Sequence, residues 1–265
     1  MQARLLLAFI VASGTTGSLR IYLGAAPGFG KTVAMLDDGH RRKDRGLDVV
    51  IGIVETHGSK QIESRIGDLE LVPRRRIEYG GIILDDMDVQ AIIDRRPDTV
   101  LVDELAHTNV PGSINENQYQ DVRELVVVGI TVISTLNIQH LESLNDTIQR
   151  FTGVSVRETV PDGIMAEADK FELIDLAPDA LIQRMKQGDI YPKIEAERAS
   201  RNFFIPENLI ALRDLALRMT ARGVEETLDG YTGSTGGDRL AAVVEHIMVA
   251  VDHRPSGKAL VRCGF

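Results

Sequence analysis

The residues with the clearest chemical use are Ala25-Ala26-Pro27-Gly28-Phe29-Gly30-Lys31-Thr32. Two closely spaced glycines followed by a lysine and a hydroxyl residue suit one kind of ligand, a polyphosphate. Gly28 and Gly30 let backbone N–H groups approach phosphate oxygens with no side chain in the way. Lys31 can reach the β- and γ-phosphates, and Thr32 can set its hydroxyl on Mg2+. The run fits the phosphate-loop pattern (Gly or Ala, four residues of any type, then Gly-Lys-Ser/Thr), with Ala25 in its first position and Gly24 beside it. A second pair, Asp103-Glu104, ends the apolar run Thr99-Val100-Leu101-Val102. Alone, two such acids could equally cap a strand-to-loop turn. With the loop upstream, Asp103 is expected to hold Mg2+ through water, and Glu104 to orient or deprotonate an attacking group. The expected ligands are ATP and Mg2+.

Other polar residues stand near the ends of apolar runs. Glu55-Thr56-His57-Gly58 follows Val49-Val50-Ile51-Gly52-Ile53-Val54, and such carboxyl edges are where open α/β sheets take ligands. His57, His107 and His140 all follow strand ends, where an imidazole can bind phosphate or relay a proton. For any one of them, a loop histidine satisfied by its neighbours is the commoner case. None has metal-ligand spacing with another His or a Cys. His40, Arg41, Arg42, Lys43 and Arg45 crowd the end of a helical pattern. There they suit the helix dipole, and a solvated helix end is preferred to a phosphate site.

These residues need a frame, and the pattern supplies one. Leu19-Arg20-Ile21-Tyr22-Leu23 reads as a strand feeding the glycine-rich loop, and the first β-α unit runs over about 20–46. The continuous apolar run at 49–54 reads as a buried parallel strand; 99–104, ending in its two acids, reads as another buried strand, and 130–136 as a fourth strand. A small hairpin turns at Gly80-Gly81. Helices are expected over 88–96, over 118–128, and through Leu141, Leu144, Ile148 and Phe151. A fifth strand is expected at 171–176. Pro178 and Pro206 open two more helices, ending at Gly188 and near Gly223. Strands alternating with helices imply an α/β fold: a doubly wound, mostly parallel sheet of the P-loop NTPase type, with helices on both faces.

Composition narrows the classes. A chain of 265 residues, 43% of them hydrophobic, can bury a core without disulfides, and its single Cys263 has no internal partner. A formal charge of -9 with no long basic block argues against an electrostatic nucleic-acid binder. No apolar run reaches the roughly 20 residues of a membrane span. Residues 1–18 imitate a short signal peptide, but a nucleotide site belongs in the cytoplasm, so they read as an N-terminal extension of a cytoplasmic protein. The main domain is expected over 19–223, with a linker at 224–244 containing Gly230-Tyr231-Thr232-Gly233-Ser234-Thr235-Gly236-Gly237. His246-Ile247-Met248-Val249-Ala250-Val251-Asp252 reads as the first strand of another α/β unit, begun at 245–265, so the chain is expected to be the front of a longer design.

The longer motifs carry a family resemblance. Leu23 to Thr32 with Met35-Leu36, Val54-Glu55-Thr56-His57-Gly58, Pro73-Arg74-Arg75-Arg76-Ile77-Glu78-Tyr79 and, above all, Leu101-Val102-Asp103-Glu104-Leu105-Ala106-His107-Thr108-Asn109 with Pro111-Gly112-Ser113 resemble the N-terminal domain of the Kdp potassium-sensing histidine kinases (KdpD). Gln139-His140-Leu141-Glu142-Ser143-Leu144-Asn145-Asp146 and Val156 to Asp162 extend the likeness over roughly 19–222. The resemblance implies a cytoplasmic ATP-binding sensory domain of a two-component system. In that family it precedes a universal-stress-protein-like domain, membrane helices and a kinase core, which acts on a response regulator. The expected contacts to nucleotide are Gly24, Ala25, Pro27, Gly28, Gly30, Lys31, Thr32, Glu55, His57, Asp103, His107 and Asn109, with Thr32 and Asp103 on Mg2+. Lys31 and Glu104 are the expected catalytic pair if there is turnover.

The chain departs from the family at two places. Ile114-Asn115-Glu116-Asn117-Gln118-Tyr119 replaces the usual basic residues and Trp, and Ser59-Lys60 replaces an Arg. Lysine lacks the bidentate fork of arginine, so phosphate-dependent closure is the property most affected. Three readings follow: a regulatory module that switches the rest of a sensor kinase, or a separate kinase; a stand-alone P-loop ATPase or protein kinase; and a decayed fragment, against which the intact loop and acids argue.

Overall fold

The apolar strands expected from the sequence pair side by side in one sheet. The structure is a computed structural model describing residues 16–187 and 203–232. Its main sheet holds β1 (Leu19–Gly24), β2 (Val49–Ile53), β3 (Glu70–Leu71), β6 (Thr99–Val102), β7 (Thr131–Asn137) and β8 (Lys170–Ile174) in the order β3-β2-β6-β7-β1-β8. Every pairing in it is parallel. The helices are α1 (Lys31–Asp44), α2 (Lys60–Ile66), α3 (Val89–Arg95), α4 (Gln118–Val127), α5 (Glu142–Thr152), α6 (Gly163–Glu167), α7 (Pro178–Gln187) and α8 (Pro206–Thr232).

Alternation along the strands builds two cores, one on each face. Ile21, Leu23, Val100, Val102 and Val132 point to one face and meet Ile92 of α3, Val122 and Leu125 of α4, Ile148 of α5 and Leu209 and Leu212 of α8. Tyr22, Ile51, Leu101 and Ile133 point to the other and meet Met35 and Leu36 of α1. Gly39 lets α1 lie close to β6: a Cβ there would stand 2.7 Å from a Leu101 methyl. The sheet is therefore doubly wound, as the alternating pattern implies.

The hairpin is β4 (Arg75–Tyr79) against β5 (Ile82–Asp86), antiparallel. Gly80 and Gly81 supply the two positive φ angles that a two-residue hairpin turn needs. Four features differ from the sequence reading. Helix α2, the short helix α6 and the two-residue β3 were not expected. Helix α8 passes through Gly223 and ends at Thr232, so the first residues of the expected linker are helical. The chain divides into two compact units, 1–223 and 224–265, and the site below belongs to the first. Most of the N-terminal extension, the rest of the linker and the expected strand at 246–252 lie outside the described residues. Among the described residues, no helix is long and apolar enough to cross a membrane.

Candidate functional site

The neighbouring strands β2, β6, β7 and β1 all run in one direction, so their following loops meet at one edge. They enclose a cavity of about 310 Å³. The glycine-rich loop forms one wall. Gly28 (φ 85°) and Gly30 (φ 93°) lie in the left-handed region, and Gly30 turns the chain directly into α1. No side chain caps that helix and no acid lies in its first turn, so its first N–H groups stay available to an anion.

Lys31 is buried, and its Nζ donates to Ala26 O at 3.3 Å. The lysine stem crosses Gly24, where a Cβ would sit 2.8 Å from Cδ. Gly24 thus makes room for Lys31 and does not line the cavity. Burial lowers the Lys31 ammonium to about 8, against the pull of Asp103 and Glu104. It is a cation that an incoming phosphate would favour.

Thr32 donates to both carboxylate oxygens of Asp103, at 3.1 and 3.2 Å. Thr135 of β7 donates to Asp103 Oδ1 at 2.6 Å and accepts from the Glu104 N–H at 3.0 Å. The Gln118 amide donates to the carbonyls of Asp103 and Glu104. These bonds hold Glu104 at φ 56°, a conformation that costs a non-glycine residue about 1–3 kcal/mol. Burial raises Asp103 to about 6, despite the hydroxyl bonds and Lys31. A hydroxyl and a carboxylate in contact form a hard oxygen set that suits Mg2+. Among the described residues, no three His, Cys, Asp or Glu side chains are grouped to hold a metal alone. Water and phosphate oxygens would have to complete the shell, which is the usual Mg2+ arrangement.

At the cavity mouth His57 Nε2 lies 3.1 Å from Glu104 Oε1. That bond raises the His57 imidazole and lowers the Glu104 carboxyl, so the pair favours its ionised form. Glu55 pairs with Arg74 at 2.9 Å, and Arg74 also donates to Val54 O. His107 Nδ1 stands 3.6 Å from Glu158 Oε1. His140 Nδ1 lies 2.7 Å from Glu158 O, a contact in which Nδ1 must carry the proton, and burial lowers its pKa.

Pro27, Gly28, Gly30, Lys31, Thr32, Glu55, His57, Asp103, Glu104 and His107 thus line one cavity. Ala25 lies in the core beneath the loop. Asn109, expected as a nucleotide contact, is not among the residues that line the cavity. It is buried away from the cavity, where its amide donates to Asp121 Oδ2 at 2.6 Å and Asn115 O at 3.1 Å and braces the loop after β6. Three positions that build or line the site escaped the sequence reading. Thr135 and Gln118 hold the acid pair; the hydroxyls of Ser134 and Thr135 in a buried strand were the available signal for the first. Arg184 of α7 reaches the glycine-rich loop from far along the chain, with no local motif to mark it.

A parallel, doubly wound sheet with a glycine-rich turn between its first strand and first helix, and a polar cavity at the carboxyl edge, defines a P-loop-like α/β domain. Residues 15–224 match the family model described as "Osmosensitive K+ channel His kinase sensor domain" (KdpD), and the chain belongs to that family. It is 46% identical over 246 residues to the "Sensor protein KdpD" of Mycobacterium tuberculosis (strain ATCC 25618 / H37Rv), covering 93% of this chain and 29% of that one. With the "Sensor protein KdpD" of Escherichia coli (strain K12) it shares 44% over 246 residues, 93% of this chain and 28% of the relative. The "Putative sensor protein KdpD" of Synechocystis sp. is 45% identical over 250 residues, 94% of this chain and 66% of its own length. The chain therefore spans under a third of the M. tuberculosis and E. coli relatives.

Proposed function

We propose that the cavity binds ATP with Mg2+ and that this domain is the nucleotide-responsive sensory module of a potassium-responsive two-component sensor kinase. The observation that carries the reading is the convergence of the uncapped α1 N-terminus, the buried Lys31 and the Thr32–Asp103 contact in one cavity. Backbone N–H groups of the glycine-rich loop and the start of α1 would receive the phosphates, and Lys31 would neutralise the β- and γ-phosphates. Thr32 and Asp103 would hold Mg2+, which neutralises phosphate charge when bound. The names of the relatives support the sensor role. The partner is then the remainder of a sensor kinase, or a separate kinase and response regulator, on the cytoplasmic side of the inner membrane.

A switch needs contacts that differ between its two states. The His57–Glu104 pair is the candidate, since it spans the loops after β2 and β6 at the cavity mouth. A γ-phosphate arriving there would repel Glu104 and attract His57.

Glu104 also favours a second reading, a phosphoryl-transferring ATPase or protein kinase. A carboxylate kept ionised at the mouth by His57 can accept the proton of an attacking water or hydroxyl. ATP binding measured alongside single-turnover hydrolysis and autophosphorylation separates the two, using wild type, Lys31→Ala and Glu104→Gln. The switch predicts binding lost in Lys31→Ala and no turnover in any form. The enzyme predicts turnover that Glu104→Gln abolishes while binding persists.

A further inference from the structure

Arg184 lines the cavity from α7, 156 residues beyond the glycine it touches. Its Nη1 donates to Gly28 O at 3.1 Å and its Nη2 to Gln61 Oε1 at 3.0 Å. Both acceptors are neutral. Arg20, Arg65, Arg74, Arg95, Arg123 and Arg213 each meet a carboxylate. Among the described residues Arg184 has none, although Glu55, Asp103, Glu104 and Glu158 line the same cavity. Among the described residues, three of its five N–H donors are left over. Its guanidinium stands beside the start of α1, since a Cβ on Gly30 would lie 3.8 Å from Nη1. Lys31, the α1 N-terminus and Arg184 thus converge on one region of the cavity.

An arginine held only by a carbonyl and an amide gains when a charged oxygen is offered, because a charge-assisted hydrogen bond is roughly twice as strong as a neutral one. The guanidinium fork also fits phosphate in a two-pronged way that a lysine cannot copy. We infer that Arg184 binds the phosphate chain of the nucleotide, exchanging Gly28 O and Gln61 for phosphate oxygens, and so ties α7 to the occupancy of the site. Helix α7 can transmit that change as a unit, since Leu181 and Met185 anchor it in the core. The inference rests on the cavity being a nucleotide site and adds to that reading the residue that reports occupancy.

The test uses the whole chain with Mg2+, titrated with ATP and with adenosine, as wild type, Arg184→Ala and Arg184→Lys. Hydrogen exchange is followed across α7 with and without saturating ATP. Arg184→Ala should bind ATP about 10- to 100-fold more weakly, the scale of one charge-assisted bond, with adenosine binding unchanged. Arg184→Lys should recover part of the loss. ATP should slow exchange in α7 of the wild type and not in Arg184→Ala at saturation. ATP affinity within twofold of wild type in Arg184→Ala, equal losses for adenosine and ATP, or the same ATP-dependent protection of α7 in both proteins would each overturn the inference alone. A wild-type chain that binds no ATP would overturn the nucleotide reading, and this inference with it.

Discussion

The two ends of α1 both carry basic side chains, and they treat them in opposite ways. At the C-terminal end Arg41 and Arg42 lie 3.3 and 3.5 Å from Asp38, and Lys43 lies 2.7 Å from Asp68. Those cations answer the helix dipole and are neutralised by the protein itself. At the N-terminal end Lys31 is buried with a carbonyl as its hydrogen-bond partner, and Arg184 is held by two neutral acceptors. Charge that the fold neutralises serves the fold, whereas charge hydrogen-bonded only to neutral groups at a cavity is what the proposed phosphate site requires. The pairing of a basic cluster, more than its size, separates the cavity end of α1 from its paired end.

The contrast breaks most sharply at Lys31. Lys31→Ala should weaken ATP binding about 100-fold or more. It should also leave the ligand-free protein at least as heat-stable, because a buried ammonium with one carbonyl partner burdens the fold. Calorimetric titration beside a thermal melt checks both halves. Asp103 comes next. Its folded-state pKa is raised to about 6 by burial, so its protonation favours the folded state. That contribution is complete below its ordinary value of 3.8 and is lost as pH rises through about 6. Without Mg2+, Asp103→Asn should therefore melt higher than wild type at pH 7.5, with the gap narrowing as pH falls through about 6 and closing only below 3.8. A smaller effect is expected at the mouth. In Glu104→Gln the His57 imidazole, followed by NMR, should titrate lower than in wild type, since Glu104 is the main cause of its raised pKa. The smallest effect belongs to the paired end, where Lys43→Ala should leave ATP affinity within about twofold and Tm within about 2 °C.

Much of this contrast was legible in the sequence because it is written locally. The apolar runs that became β1, β2, β6 and β7 announce buried parallel strands, and Gly28, Gly30, Lys31 and Thr32 are contiguous. The clustering of Arg41, Arg42 and Lys43 at a helix end was also readable as a solvated terminus. Helix α2 was missed because it buries no residue fully and offers only the partly buried Ile62 and Ile66 as a pattern. Strand β3 was missed because two exposed residues, Glu70 and Leu71, carry no periodicity. Asn109 sits inside a specific motif, yet its amide works for the loop. Motif membership did not distinguish a residue that lines the cavity from one that braces its wall. Arg184 is the opposite case, a cavity residue whose role arises only when α7 packs over the glycine-rich loop.

Equilibrium titration of the wild-type chain with ATP, with and without Mg2+, tests the central claim most directly. Saturable binding of one ATP per chain that tightens with Mg2+ is the predicted result. No binding, or binding that Lys31→Ala leaves intact, would contradict the assignment of the cavity.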